Sequence, residues 1–227
     1  MHAEAILFGA IHLGVDDVQG KRVLEIGARR AGRRELRGTL RPYVESLGPR
    51  EYVGTDAVAG AQVDLVCPVE DLLARFGPAS FDIVLCTEVL EHVEDWRVAV
   101  GTIKALCREQ GIVLVTTRSR GFPYHGFPRD FWRFEVADME AIFADMELLR
   151  LERDPQFPGV FLKARKPPGF VAADLSSHAI YSILRGERAR QVAPRDLRTM
   201  RFQLLRGLEL ARAGFHRATT ALKRFTA

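Results

Sequence analysis

Short apolar runs alternate with helix-patterned segments along most of this chain. Residues 23–26 (VLEI), 51–56 (EYVGTD), 62–67, 81–86 (FDIVLC) and 112–117 (IVLVTT) read as five strands, apolar enough for burial on both faces. Between them lie helix signals over 39–47, 68–76 and 96–108. Thr39 can cap the first, Pro42 fits its first turn, and the pairs Gly48-Pro49 and Gly77-Pro78 act as stops. Residues 3–13 predict a short helix packed on the sheet edge. A helix over 135–143 is followed by strands over 146–152 and 160–165 with no helix between them, which predicts an antiparallel pair at one edge. The whole alternation predicts an α/β fold, a doubly wound and mostly parallel Rossmann-like sheet with an antiparallel edge. Pro167, Pro168 and Gly169 mark a linker between a domain at 1–168 and an extension at 169–227. In the extension Leu197, Met200, Leu204, Leu208, Ala211, Phe215, Ala218, Leu222 and Phe225 recur at steps of three or four, the pattern of a long amphipathic helix.

Charge divides the chain at the same place. The net +4 of the 227 residues conceals eleven Lys/Arg against four Asp/Glu in residues 170–227, a net of +7, and 22 against 25 in the remainder, a net of −3. The hydrophobic content of 47% and fourteen phenylalanines fit one globular domain with an appendage and exclude disorder as a class. Cys67, Cys86 and Cys107 are odd in number and lack CxxC spacing, so they read as reduced thiols of a cytoplasmic protein. The apolar run at 5–15 is broken by Gly9, His12 and Gly14, too short to span a bilayer, and it lacks the basic flank of a secretory signal.

Two stretches carry candidate chemistry. In FDIVLCTEVLEHVEDW (81–96) a buried strand runs into Glu88, Glu91 and His92. At helical spacing these share one face at the carboxyl end of a sheet, where open α/β folds bind ligands. The loop at 118–130 is long for a connection and rich in Gly, Pro and aromatics. With its continuation it supplies Phe122, Tyr124, Phe127, Phe131, Trp132 and Phe134, interleaved with His125, Arg129, Asp130 and Arg133. Aromatic faces with polar groups among them suit a sugar or a flat polyketide ring. Trp132 and Phe134 read as core, whereas His125 and Asp130 read as site residues.

The order of VLEIG (23–27), EYVGTD (51–56), FDIVLCTEVLEHV (81–93) and GIVLVTT (111–117) resembles the class I S-adenosylmethionine (SAM)-dependent methyltransferases, over about residues 20–165. Within that superfamily FPYHGFPRDFWRF (122–134) resembles a subset often encoded with polysaccharide and natural-product assembly genes. The resemblance implies that Glu25, Gly27 and Ala28 adjoin the methionine moiety of SAM and that Asp56, with Ala57, takes the ribose hydroxyls. It implies further that Val69 and Glu70 border the adenine and that Thr87 floors the site near the sulfonium. The loop EIGARRAGRRELRG departs from the usual ExGxGxG. Arg29 replaces the second glycine, and Arg29, Arg30, Arg33, Arg34 and Arg37 gather near the cofactor mouth, either to attract an anionic substrate or as a solvated basic loop.

For methyl transfer to a hydroxyl, His92 and His125 are the candidate general bases, with Asp130 beside them. The ExxEH set with His125 is also similar to that of small-RNA 3′-terminal 2′-O-methyltransferases and of ubiquinone-pathway O-methyltransferases. That likeness implies a divalent ion (Mg, Mn, Fe or Zn) held by Glu88, Glu91, His92 and His125; the same residues also serve as helix-end architecture in metal-free members. The expected function is SAM-dependent O-methylation of a hydroxyl on a sugar, glycan or related natural product. RNA 2′-O-methylation and a non-catalytic SAM-fold subunit are the rival readings. The basic tail admits a homodimer through its helices, contact with an anionic surface such as the inner membrane, or nucleic-acid binding, for which no motif is present.

Overall fold

The computed structural model describes residues 2–30, 39–126 and 129–225, with side chains as far as Arg212. The predicted loop residues Arg33, Arg34, Arg37 and Phe127, and the side chains of Phe215, Ala218, Leu222 and Phe225, lie outside the described residues. The strands are β1 (Arg22–Ile26), β2 (Glu51–Asp56), β3 (Leu65–Val66), β4 (Phe81–Thr87), β5 (Cys107–Arg118), β6 (Trp132–Arg133), β7 (Glu147–Arg153), β8 (Gly159–Arg165), β9 (Ile180–Ser182) and β10 (Glu187–Ala189). Seven of them form one sheet in the order β3-β2-β1-β4-β5-β8-β7. Strands β1 to β5 pair in parallel, and β8 runs antiparallel between β5 and β7, so the predicted antiparallel edge is present.

The central strand β4 is buried at all seven positions because both faces are covered. Alternate side chains therefore feed two cores. Val23, Ile83, Leu85, Leu114 and Phe161 meet the helices α1 (Ala3–His12), α2 (Val15–Val18) and α3 (Arg41–Ser46). Leu24, Val84, Cys86, Val113 and Val115 meet Trp96, Val100 and Ile103 of α5 (Trp96–Leu106), which follows α4 (Leu72–Phe76), and Met139 and Ile142 of α6 (Val136–Ile142).

Several sequence expectations are corrected. Helix α1 lies on a face of the sheet, not its edge: the Phe8 ring sits 5.1 Å from Phe161, and Lys163 Nζ donates to the His12 carbonyl at 2.6 Å. Thr39 does not cap α3; its hydroxyl donates to Gln62 Oε1. The strand expected at 62–67 shrinks to two residues, because Gln62 takes φ 72° and the Asp64 carboxylate accepts from the Gly54 amide, replacing ladder bonds with a side-chain bond. Helix α5 is capped by Asp95, whose carboxylate accepts from the amides of Arg97 and Val98.

The tail differs most. It is helical only from residue 194, in a 3₁₀ turn at Pro194–Arg198 and then α7 (Met200–Phe225). Before that, the β9–β10 hairpin pairs with β6 in a second antiparallel sheet, and Ile180, Ile183, Leu184 and Ala189 join the core of the preceding domain. Arg97 ties this segment down by donating to the carbonyls of Leu175, His178 and Arg190. Among the described residues, no helix is long and apolar enough to cross a membrane.

Candidate active site

A cleft of about 1020 Å³ opens at the carboxyl ends of β1, β2, β4 and β5. Parallel strands end there together, so short turns bring distant residues to one rim. Of the residues expected to hold the cofactor, Gly27, Asp56, Ala57, Val69, Glu70 and Thr87 line the cleft, whereas Glu25 and Ala28 do not.

The turn after β1 explains Gly27. Its φ is 85°, and a Cβ there would lie 2.3 Å from Val89 Cγ2 and 3.1 Å from the Thr87 carbonyl oxygen. Only glycine fits this close crossing of β1 and β4. The amides of Gly27 and Ala28 both donate to the Thr55 carbonyl, which pins the turn to β2 and leaves Ala28 buried behind the wall. Asp56, at the end of β2, accepts from the amides of Val58 (2.9 Å) and Arg29 (3.3 Å), so its carboxylate is held at the rim. The Thr87 hydroxyl is buried and unpartnered on the cleft floor. A glycine cradle, a fixed carboxylate and an orphaned hydroxyl suit a nucleoside with an attached amino acid.

Glu25 stands beneath this half. One carboxylate oxygen accepts from the Tyr52 hydroxyl at 2.7 Å and the other is buried without a partner. Burial pushes the Glu25 carboxyl up to about 7, against the opposing Tyr52 bond, and pushes the Tyr52 phenol up as well.

The other half departs from the predicted helix face. Glu88 takes φ 59°, its amide donates to the Thr116 carbonyl, and a 3₁₀ turn spans Leu90–His92. With no α-helix at 88–92, Glu88 leaves the predicted ligand set. Its carboxylate pairs with the buried Arg118, whose guanidinium also packs 4.2 Å from the Phe122 ring centre. His2, brought in by α1, approaches Arg118 at 3.1 Å and Asp154 at 2.6 Å. Burial, and then the charge of Glu91, raise the Glu88 carboxyl to about 7.

Glu91, His92 and His125 converge: each offers a ligand atom within 4.8 Å of the others. Glu91 is fully buried; Oε2 accepts from the Thr117 hydroxyl at 2.9 Å, and Oε1 is unpartnered, 3.9 Å from His125 Nε2. The Nδ1 atom of His125 meets Asp130 Oδ2 at 2.8 Å, and that of His92 meets the Arg129 carbonyl. Asp130 is fully buried and clamped by both terminal nitrogens of Arg133, which also donates to the carbonyls of Phe122 and Pro123. Burial alone would lower the His125 pKa, but the bond to Asp130 and the charges of Asp130 and Glu91 outweigh it and leave it above its ordinary value. Asp130, despite its burial, is held well below the usual carboxylate range by Arg133 and His125.

Trp132 and Phe134 are core, as their pattern predicts. His2, Arg118 and Phe157 also line the cleft, although no motif assigns them a role. The position of Arg118 at the carboxyl end of β5 was the available signal; His2 and Phe157 had none, since only packing brings them to the cleft.

The sequence matches the family model of the methyltransferase domain over residues 4–155, and the chain belongs to that family. Its sheet order and cleft are those of the class I SAM-dependent methyltransferases, with SAM as the cofactor of the class. Among curated relatives, a ubiquinone biosynthesis O-methyltransferase of Paraburkholderia phymatum is 33% identical over 106 residues, 44% of this chain and 46% of that protein. The polyketide synthase ThaQ of Burkholderia thailandensis is 27% identical over 176 residues, 65% of this chain and 8% of that protein. The chain spans about half the length of the ubiquinone-biosynthesis relatives it matches. Among solved structures, the 1,6-didemethyltoxoflavin N1-methyltransferase of Burkholderia thailandensis, with S-adenosylhomocysteine bound, superposes with a TM-score of 0.56 at 19% identity. The match covers 72% of this chain and 78% of that one.

Proposed function

We propose that the protein transfers the methyl group of SAM to a hydroxyl of a sugar, glycan or related natural product. The observation that carries this reading is the Arg133–Asp130–His125 chain beside Glu91 and His92, at the end of the cleft away from Asp56. SAM supplies an activated methyl group on a sulfonium, so the protein's task is alignment and management of one proton. On the cofactor side Asp56 would accept from the ribose hydroxyls, and the Gly27 turn would let the backbone approach closely. On the acceptor side Asp130 holds Nδ1 of His125, which directs Nε2 toward the incoming hydroxyl as the proton acceptor. Phe122 and Phe157 give the acceptor apolar faces, and Arg118 and Glu88 give it polar ones. The O-methyltransferase name of the ubiquinone-biosynthesis relatives supports oxygen as the atom methylated.

The donor set also fits a divalent ion. Two imidazoles with their second nitrogens already held, and a buried carboxylate oxygen with no partner, are what a bound cation requires. Glu91, His92 and His125 would hold it; Nε2 of His125 would then be a ligand in place of the proton acceptor, and the ion would take over that task by lowering the pKa of the acceptor hydroxyl. Glu88, tied to Arg118, is not part of this set.

The test uses methyl-labelled SAM with a panel of glycosides, sugar nucleotides and hydroxylated aromatics. Label in an alkali-stable ether is the expected result; label confined to nitrogen, carbon or an alkali-labile ester would overturn the reading. His125→Ala should lower turnover by about 10²–10⁴-fold with SAM affinity unchanged. Equal loss of both would remove His125 from the chemistry.

A further inference from the structure

The outward face of α7 has no role in the cleft, and its chemistry is specific. Phe202 and Leu205 turn inward, Phe202 lying edge-on to Tyr124 at 6.1 Å, and dock the helix on the loop that carries His125. Met200, Leu204, Leu208 and Leu210 have 90%, 65%, 48% and 63% of their surface exposed, Leu208 at the rim of the groove that Leu205 shares with the loop at 121–124. These four make up a third of the twelve large apolar side chains exposed among the described residues, gathered on three turns of one helix. In sequence the same spacing of apolar residues continues at Ala211, Phe215, Ala218, Leu222 and Phe225, at steps of three or four to the end of the helix. Exposed apolar surface on this scale needs a cover.

Charge selects the cover. The α7 sequence carries six Lys/Arg (Arg201, Arg206, Arg212, Arg217, Lys223 and Arg224) against the single acid Glu209. Pairing with a second copy of α7 would bring twelve cations together with two acids, a repulsion that grows along the whole contact. An anionic bilayer supplies the opposite charge to the arginines and an apolar layer to the stripe. A helix with exposed methionine and leucine side chains, many arginines and few acids is built to lie in such an interface.

We propose that α7 docks the protein on an anionic phospholipid surface, lying in the plane of the interface with Met200, Leu204 and Leu208 inserted. The docking does not rest on the acceptor class argued above. Phe122 lines both the cofactor cleft and the groove between α7 and the loop at 121–124, so the inward face of α7 adjoins the acceptor side of the cleft.

The experiment is co-sedimentation of the full chain with vesicles of pure phosphatidylcholine and of phosphatidylcholine mixed with phosphatidylglycerol. Binding to the mixed vesicles, reversed by high salt and absent for the neutral ones, is expected. Leu204→Glu/Leu208→Glu should abolish it, and Arg206→Ala/Arg217→Ala should weaken it by roughly fivefold for each cation lost. Unchanged thermal melting of the variants would show that the fold is intact; the comparison of wild-type protein on the two vesicle types holds even if a variant fails to fold. Absence of binding, or equal binding to both vesicle types, would overturn the proposal. So would a salt-resistant dimer in light scattering that Leu204→Glu/Leu208→Glu converts to monomer, since a second copy would then be the cover.

Discussion

Replacing Asp130 by Asn separates what this carboxylate does for stability from what it does for chemistry. Asp130 is fully buried and accepts four hydrogen bonds, from the amide and Nδ1 of His125 and from two guanidinium nitrogens of Arg133. Asn keeps the shape but removes the charge and turns an NH₂ toward one set of donors. Arg133, 1% exposed, is then a buried cation without its counterion. Breaking such a pair from one side costs about 3–5 kcal/mol, or a fall in Tm of roughly 6–20 °C for a chain of this size. The raised pKa of His125 means that the fold favours its protonated ring. That contribution to stability is complete below the ordinary value of about 6.5 and fades as pH rises through the raised value. Asp130 works in the opposite sense: its contribution is present above about 3.9 and is lost as pH falls toward its depressed value. A general base must be neutral, so kcat/KM of the wild type should rise along a limb centred above 6.5. In Asp130→Asn the raising charge is gone while burial remains, so the limb should move to lower pH and turnover should fall. Asp130→Asn/Arg133→Met, with both charges removed, should recover much of the melting temperature but not the turnover. An unmoved pH limb in the single variant, or restored turnover in the double, would refute the assignment of Asp130 as the residue that positions His125.

Three further outcomes test the rest of the site. Asp56→Ala should weaken SAM binding by about 1.5–3 kcal/mol, a rise in Kd of roughly 13- to 160-fold, as expected for lost hydrogen bonds to a charged acceptor; unchanged affinity by calorimetry would contradict the ribose placement. Glu25 has a folded pKa raised to about 7, so the fold is penalised progressively as pH rises from its ordinary value through 7. Denaturant unfolding of Glu25→Gln at pH 5 and pH 8 should therefore lack a loss of about 2.5 kcal/mol that the wild type shows, and parallel curves for the two proteins would refute the buried charge. Dialysis against EDTA should reduce turnover, with recovery on adding one of Mg, Mn, Fe or Zn, and activity that survives the chelator undiminished would dismiss the ion at Glu91, His92 and His125.

The architecture was legible in the sequence because burial of a parallel strand leaves a local mark. The runs at 23–26, 51–56 and 81–86 fall within or on observed strands, and Gly27 and Asp56 stand at the ends of β1 and β2, where the family resemblance expects them. An amphipathic helix at the end of the chain was legible for the same reason, since its apolar steps are three and four residues apart. What failed locally failed where a side chain replaced a backbone partner, as Asp64 does at the shortened β3, or where a left-handed residue bonded to the neighbouring strand interrupted helical spacing, as at Glu88.

The tertiary structure alone decided which side chains meet. EVLEHV contains three spaced ligand candidates, but the left-handed turn at Glu88 gives one of them to Arg118, and the loop from β5 gives His125 to the other two. The β9–β10 hairpin joined the domain core because β6 offered it an unpaired edge, a long-range fact that no local pattern records. Periodicity predicted the stripe on α7, and docking through Phe202 and Leu205 decided that Met200 and Leu204 within it face outward, whereas Leu197 packs on the core. Sequence spacing fixes which residues share a face of an element, whereas packing between elements fixes where that face points.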